Sequence, residues 1–425
     1  MTSAAPPLAA SPLPIAFAGG HGTARGGLTV SLSTLGAFAV YWAMAASGVV
    51  FSEPAPIDLL MMGLVVLLPV AGLQRSSPGL VLQLLLWLVC GAGALVASGM
   101  SLDAGDSARH TAISFYLYAS FFVLAAYIAN DPVTNGRIVL RGWVLAALIA
   151  AVAGLAGYFR LAPGAFDLFT RFGRAAGTFK DPNVFGAFLV PPILFLAHRI
   201  LHRESRWLAL DIGAAGLLTL ALLLSFSRGA WINLALGIAI FGLLSLVTLA
   251  TPAQRARLIA IALLGVALGT ATIVAALQID EVAKLLAERS ALTQGYDVGP
   301  EGRFGGQEKA FGLMLANPLG LGAKQFAEHF HPEDVHNVYL SMFLNAGWLG
   351  GLFYLAAVLS TLVVGLAAVA RPTPARPILL VAYAAFVATV VEGIVIDTDH
   401  WRHFYVLLAL VWGLVVRPRA QPGGG

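Results

Sequence analysis

Arg228, Arg303, Lys180 and His336 are the residues whose type and setting suit chemistry. Arg228 lies in SFSRGAW, residues 225–231, a tight link between two apolar stretches. A guanidinium is the side chain best shaped for two-point contact with a phosphate. Arg303 lies in EGRFGGQEKAF, residues 301–311, beside glycine and at an expected helix start. Backbone N–H groups at such a start add to anion binding. Lys180 lies in GTFKDPNVFGAF, residues 177–188, a mobile cation at the entry to an apolar stretch. Asp181 or Asn183 there serves as a helix cap. His336 lies in HPEDVHNVYL, residues 331–340, directly before an apolar run. Histidine suits proton transfer near neutral pH, and Glu333 and Asp334 are close enough in sequence to orient it.

Each of these has a plainer reading. Arg228 fits an arginine snorkelling to lipid headgroups. Arg303 fits a solvated loop residue, and His336 a structural one. His329, His331 and His336, with Glu328 or Glu333, form H-x-H-x4-H, which matches no metal signature, so no metal is assigned. Glu392 falls inside an apolar stretch, where a carboxylate is expensive. Its role stays open, as does that of DTDHWRHFY, residues 397–405, an aromatic and basic segment.

The elements that must hold these residues are membrane helices. The chain has 425 residues, 59% hydrophobic and 11% charged, with a mean hydropathy of +0.84. Soluble domains carry about 25% charged residues. About twelve apolar stretches are candidate spans, the second and last of them short: 28–50, 57–73, 79–99, 111–129, 139–158, 184–200, 207–225, 230–250, 258–278, 347–370, 378–396 and 404–416. Residues 1–26 and 418–425 read as disordered cytoplasmic tails, and 27–417 as one transmembrane catalytic domain. Cys90, the single cysteine, excludes a disulfide framework or a thiolate metal site.

Loop charge sets the expected orientation. Thirteen arginines lie in alternate loops and both tails, which places that side in the cytoplasm. The other side holds 12 of the 25 basic residues, and ten of those fall in 159–183, 225–230 and 279–336. Basic loops on the outer side oppose the topogenic signal, so they point to a bound anion. Residues 279–336 form the one long outer loop. Ile279, Val282, Leu285 and Leu286 share a helical face in it, and a second helix from about Phe304 ends at Asn317-Pro318. Val338 to Ala370 is too long for one span. A short surface helix, a turn near Asn345-Ala346-Gly347 and then the span are expected. Outer cations suit a phosphate or diphosphate whose lipid tail sits in the bilayer, and the histidine suits deprotonation of an attacking hydroxyl.

With these motifs in order, the chain resembles the O-antigen ligase superfamily of lipopolysaccharide ligases and polysaccharide polymerases. The resemblance rests on S-x-S-R-G-A at Ser225–Ala230, G-R-F followed by N-P-L-G-x-G at Gly302–Gly322, and H-N-x-Y-L at His336–Leu340 before the Gly347–Gly350 turn. It implies an all-α polytopic membrane protein, with about 12 transmembrane helices and a relation to GT-C membrane glycosyltransferases. It implies a metal-independent transferase without cofactor in the bacterial inner membrane, its site facing the periplasm. The implied donor is an undecaprenyl-diphosphate-linked glycan. The acceptor is lipid A–core or a second lipid-linked glycan. By position, His336 takes the catalytic role, and Arg228 and Arg303 bind diphosphate. Lys180 is a third candidate for that, with Asn183, Asn337, Glu333 and Asp334 in support. Membrane lipids are the other partners, and no nucleic acid is expected. A transporter of polysaccharide or lipid-linked glycan is the alternative. It fits less well, because transporters place polar groups near the bilayer midplane and here they crowd at one surface.

Overall fold

In the computed structural model, residues 31–416 are described apart from 205, 250, 277 and 279–298. The expected tails at 1–26 and 418–425 and the helical face Ile279–Leu286 lie outside the described residues.

The fold is built from helices, whose starts follow simple capping chemistry. Ser31 caps α1 (Leu32–Ala46), Ser77 precedes α3 (Pro78–Met100), and Asp103 caps α4 (Ala104–Asn130). Asp131 opens α5 (Pro132–Tyr158), and Asp181 opens α7 (Pro182–His202). The side-chain oxygen satisfies a free backbone N–H, and proline at the first helical position is pre-set for the helix. Between these lie α2 (Pro56–Val70) and the short α6 (Ala165–Phe169). Next comes a hairpin of β1 (Thr170–Arg171) and β2 (Arg174–Ala175), antiparallel with Thr170 opposite Ala175. The chain continues through α8 (Leu208–Leu223), α9 (Arg228–Thr248) and α10 (Pro252–Ala276). Then follow α11 (Arg303–Ala316), a π-helical turn at Phe326–Phe330, α12 (Val338–Val369), α13 (Arg376–Glu392) and α14 (Arg402–Leu414).

Each of the twelve apolar stretches lies on a helix. Among the described residues, seven helices are long and apolar enough to cross a membrane, and α1, α2, α8 and α14 are shorter apolar helices. The protein is therefore an all-α multi-pass membrane protein. α12 packs along α3, α14 along α4, α1 along α5, and α9 along α13. Trp87 of α3 is fully buried, with ring centroids 5.1 Å from Tyr118 of α4 and 5.6 Å from Tyr354 of α12. Large apolar side chains such as Phe38, Leu82 and Val363 point outward, as lipid-facing residues do.

The stretch after Val338 follows the two-piece expectation. α12 consists of two helical pieces that meet at Gly347, which leaves helical geometry at φ 67° and ψ −175°. That break frees backbone groups, which the preceding loop takes up. Trp348 N donates to Pro318 O at 2.8 Å, and Leu321 N donates to Leu344 O at 2.7 Å. The loop after Asn317-Pro318 is thus docked in the kink.

Candidate functional site

Three chain segments converge at one end of the bundle, and hydrogen bonds fasten them. The first is the turn into α9. Ser227 caps the helix by accepting from Ala230 N at 3.2 Å, which makes Arg228 its first residue. Arg228 is half-buried. Beside it, Gly229 is packed against the end of α13. A Cβ at Gly229 would lie 2.8 Å from Glu392 Oε1, so a side chain here requires the Glu392 carboxylate to shift. Glu392 is 2% exposed, and Asn233 Nδ2 donates to its Oε2 at 2.6 Å. The carboxylate that the sequence left open thus sits under the first turn of α9.

The second segment is the hairpin and the start of α7. Arg174 is buried and bridges two loops: its Nε donates to Ser225 O at 2.7 Å and its Nη2 to Asn183 Oδ1 at 2.8 Å. Asp181, not Asn183, caps α7, accepting from Asn183 N at 2.8 Å. Lys180 points elsewhere. It is exposed, with Nζ 3.7 Å from Glu53 Oε1.

The third segment carries His336. Asn337 caps α12, accepting from Tyr339 N at 3.1 Å and Leu340 N at 3.3 Å. The cap leaves His336 in the left-handed region at φ 53°. Asp397 fixes this turn: its carboxylate accepts from His336 N at 3.0 Å and from the Ser341 hydroxyl. Val338 N also donates to Gly393 O at 2.9 Å, so the start of α12 is tied to the end of α13. Arg303 is the first residue of α11, with Gly302 at its cap. One turn later, Gln307 Nε2 donates to His336 O at 3.2 Å. Glu333 Oε2 lies 3.6 Å from His336 Nε2.

Electrostatics follow from this packing. Burial lowers the His336 pKa below the ordinary imidazole value, and the Arg303 guanidinium lowers it further. Glu333, Asp334 and Asp181 pull the other way, and the net shift is downward. The imidazole is therefore neutral at pH 7 and able to accept a proton. Burial, with Asp399 nearby, pushes the Asp397 carboxyl up to about 7. Asp181 is close enough to act electrostatically on both His336 and Glu392, so the ends of α7, α12 and α13 lie near one another.

A cavity of about 750 Å³ opens beside this cluster. Lys180, Asp181, Asp334 and Asp397 form part of its wall, with Trp143 and Trp401 among its aromatic lining. His331 is not grouped with His329 and His336 as a metal set. It is buried and stacks on Phe326, with ring centroids 5.5 Å apart.

The decisive comparison concerns the segment that carries the two arginines and the histidine. Residues 213–355 match the family model described as O-Antigen ligase. The chain carries an O-antigen ligase domain. The matched stretch includes Arg228, Arg303 and His336, while Lys180, Asn183 and Arg174 lie before it. No curated protein matches the chain. The O-antigen ligase domain makes this a membrane enzyme of the glycan ligase and polymerase type, acting on lipid-linked glycans.

Sequence reading missed Arg174 as a bridge and Asp397 and Gln307 as supports of His336. Arg174 stood among the outer basic residues, and Asp397 opened the 397–405 segment, but neither had a local signal for its partner.

Proposed function

We propose that the protein transfers a glycan from an undecaprenyl-diphosphate donor to an acceptor hydroxyl at the periplasmic face of the bacterial inner membrane. One observation carries this reading. Gln307 holds His336 from one turn beyond Arg303, so a cation and a neutral imidazole share one frame. Arg228 and Arg303 both open helices, so each offers a guanidinium together with the N–H groups of a helix start. That combination suits a diphosphate.

In the reaction, the acceptor oxygen forms a bond to the anomeric carbon as the bond from that carbon to the phosphate oxygen breaks. The diphosphate leaves with the electron pair. The hydroxyl proton passes to His336, and the arginines stabilise the charge gathering on the leaving group. Glu333 and Asp334 steady the resulting imidazolium, Asn337 holds the turn, and Asn183 anchors Arg174. Lys180 supplies positive potential from the cavity mouth. The proton goes to the imidazole and the charge to guanidinium groups, so the step needs no metal. The acceptor is lipid A–core or a second lipid-linked glycan. Twelve crossings on a GT-C-related plan and a periplasmic site complete the reading.

The test uses purified protein in lipid with a lipid-diphosphate glycan. His336→Ala should abolish transfer while donor binding persists, and EDTA should leave the wild-type rate unchanged. Transfer by His336→Ala at the normal rate would overturn the reading, and continued glycan flux across the bilayer would favour transport. In cells, deletion separates the two acceptors: free lipid-linked polymer accumulates for a ligase, single repeats for a polymerase.

A further inference from the structure

The loop 393–401 does more than hold His336 through Asp397. Two residues on, Asp399 meets His110 of α4 and its own chain neighbour His400. His110 of α4, Asp399 and His400 each offer a ligand atom within 4.8 Å of the others. His110 Nε2 lies 3.5 Å from Asp399 Oδ2. Bonds of 2.0–2.1 Å in a tetrahedral zinc site separate neighbouring donor atoms by about 3.4 Å. The Ser114 hydroxyl lies 2.8 Å from His400 Nε2, which leaves Nδ1 of that ring for an ion. An outer partner of this kind fixes ring orientation in metal sites. Ser114 Oγ also donates to His110 O at 3.3 Å, and Tyr405 OH donates to Asp399 O at 2.8 Å.

Charge balance points the same way. Asp399 is 8% exposed, and the His110 imidazole that faces it is a counter-charge only when protonated. Arg402, three residues away, is committed to Asp58 through Nε and Nη2, both at 2.7 Å. All three ligand residues line the large cavity, which provides a path for an ion.

We propose that His110, Asp399 and His400 form a binding site for a divalent transition-metal ion, zinc by its ligand chemistry, that ties α4 to the loop carrying Asp397. The two imidazoles are stacked, with centroids 3.6 Å apart and planes at 11°, so binding turns them out of the stack until both lone pairs meet the ion. The Asp397 bonds to His336 and Ser341 do not pass through the ion, so stripping it with EDTA leaves the transfer step assigned to His336 in place.

The experiment uses full-length protein without a histidine tag, stripped with EDTA and titrated with Zn²⁺ by calorimetry. One Zn²⁺ per chain is expected, with at least tenfold weaker binding in His110→Ala and in His400→Ala. Ser114→Ala should weaken binding about tenfold, the scale of a lost outer partner. His329→Ala should bind as wild type does. No zinc bound by the wild type, or unchanged affinity in both ligand variants, would overturn the proposal. A measurement on the wild type covers variants that fail to fold. Zn²⁺ should shield His110 and His400 from diethyl pyrocarbonate, read by mass spectrometry, and equal labelling with and without Zn²⁺ refutes the site. These readouts are independent of transfer, so zinc binding can fail while the His336 assignment stands.

Discussion

The backbone N–H of His336 donates to the carboxylate of Asp397, 61 residues later, at 3.0 Å. This bond and the Ser341 hydroxyl on the same carboxylate hold the histidine at φ 53°, a conformation that costs a non-glycine residue about 1–3 kcal/mol. Asp397→Ala should release that turn. Transfer should fall by about 10- to 100-fold, an effect of roughly 1.4–2.7 kcal/mol on the barrier. Donor affinity should hold, because Arg228 and Arg303 are untouched. A loss confined to donor binding would show that Asp397 does not act through His336.

The acidic limb of the pH–rate profile should report His336. Its neutral form accepts the proton, and its pKa is lowered from the ordinary imidazole value. Activity should therefore persist below the usual histidine midpoint of about 6.5 and fall only at lower pH. The signs for neighbours are opposite. Arg303→Gln removes a positive charge, so the limb of the residual activity should move to higher pH. Glu333→Gln removes a negative one, so it should move to lower pH. Initial rates across pH for the three proteins decide this.

Arg228→Ala and Arg303→Ala should each weaken use of the lipid-diphosphate donor by about 1.5–3 kcal/mol, the scale of hydrogen bonds to charged groups. Lysine should rescue poorly at both positions, because a point charge cannot make a planar two-point contact. Competition by undecaprenyl diphosphate measures the binding part. Full rescue by lysine would mean that the cations act as a diffuse field.

Gly229 and Glu392 should behave as a coupled pair. A methyl at 229 would meet Glu392 Oε1 at 2.8 Å, and that side chain is buried and bound to Asn233. Gly229→Ala should cost about 1–3 kcal/mol, the range for overpacking. Glu392→Asp shortens the carboxylate and should recover part of that loss in the double variant. Thermal unfolding in detergent supplies the cycle; strictly additive effects would rule out the contact.

Local signals were legible in the sequence. Asp181-Pro182 starts α7, and Asn317 ends α11 ahead of Pro318. Hydropathy found every membrane-length helix among the described residues but set three starts six or seven residues late. α4 begins at Ala104, α5 at Pro132 and α10 at Pro252; Asp103 and Asp131 cap the first two ahead of their apolar cores. The division near Gly347 was legible too: two helical pieces meet there, and the 317–321 loop takes up the backbone groups that the kink frees. The supports of the site were illegible for one physical reason. Arg174 to Ser225, Gln307 to His336 and Asp397 to His336 join residues 29–61 positions apart. Such pairs leave no periodic trace.

The packing of α12 on α3 and of α9 on α13 separates ancestry from foldability. The stretch that matches the O-antigen ligase model, 213–355, contains α9 and the first part of α12 but neither α3 nor α13, which pack on them. Cut out alone, it would present two bare faces to lipid and lose Arg174, Asp397 and Glu392 together. A graft of that segment into another membrane scaffold would need α3, α13 and the 393–401 loop brought along with it.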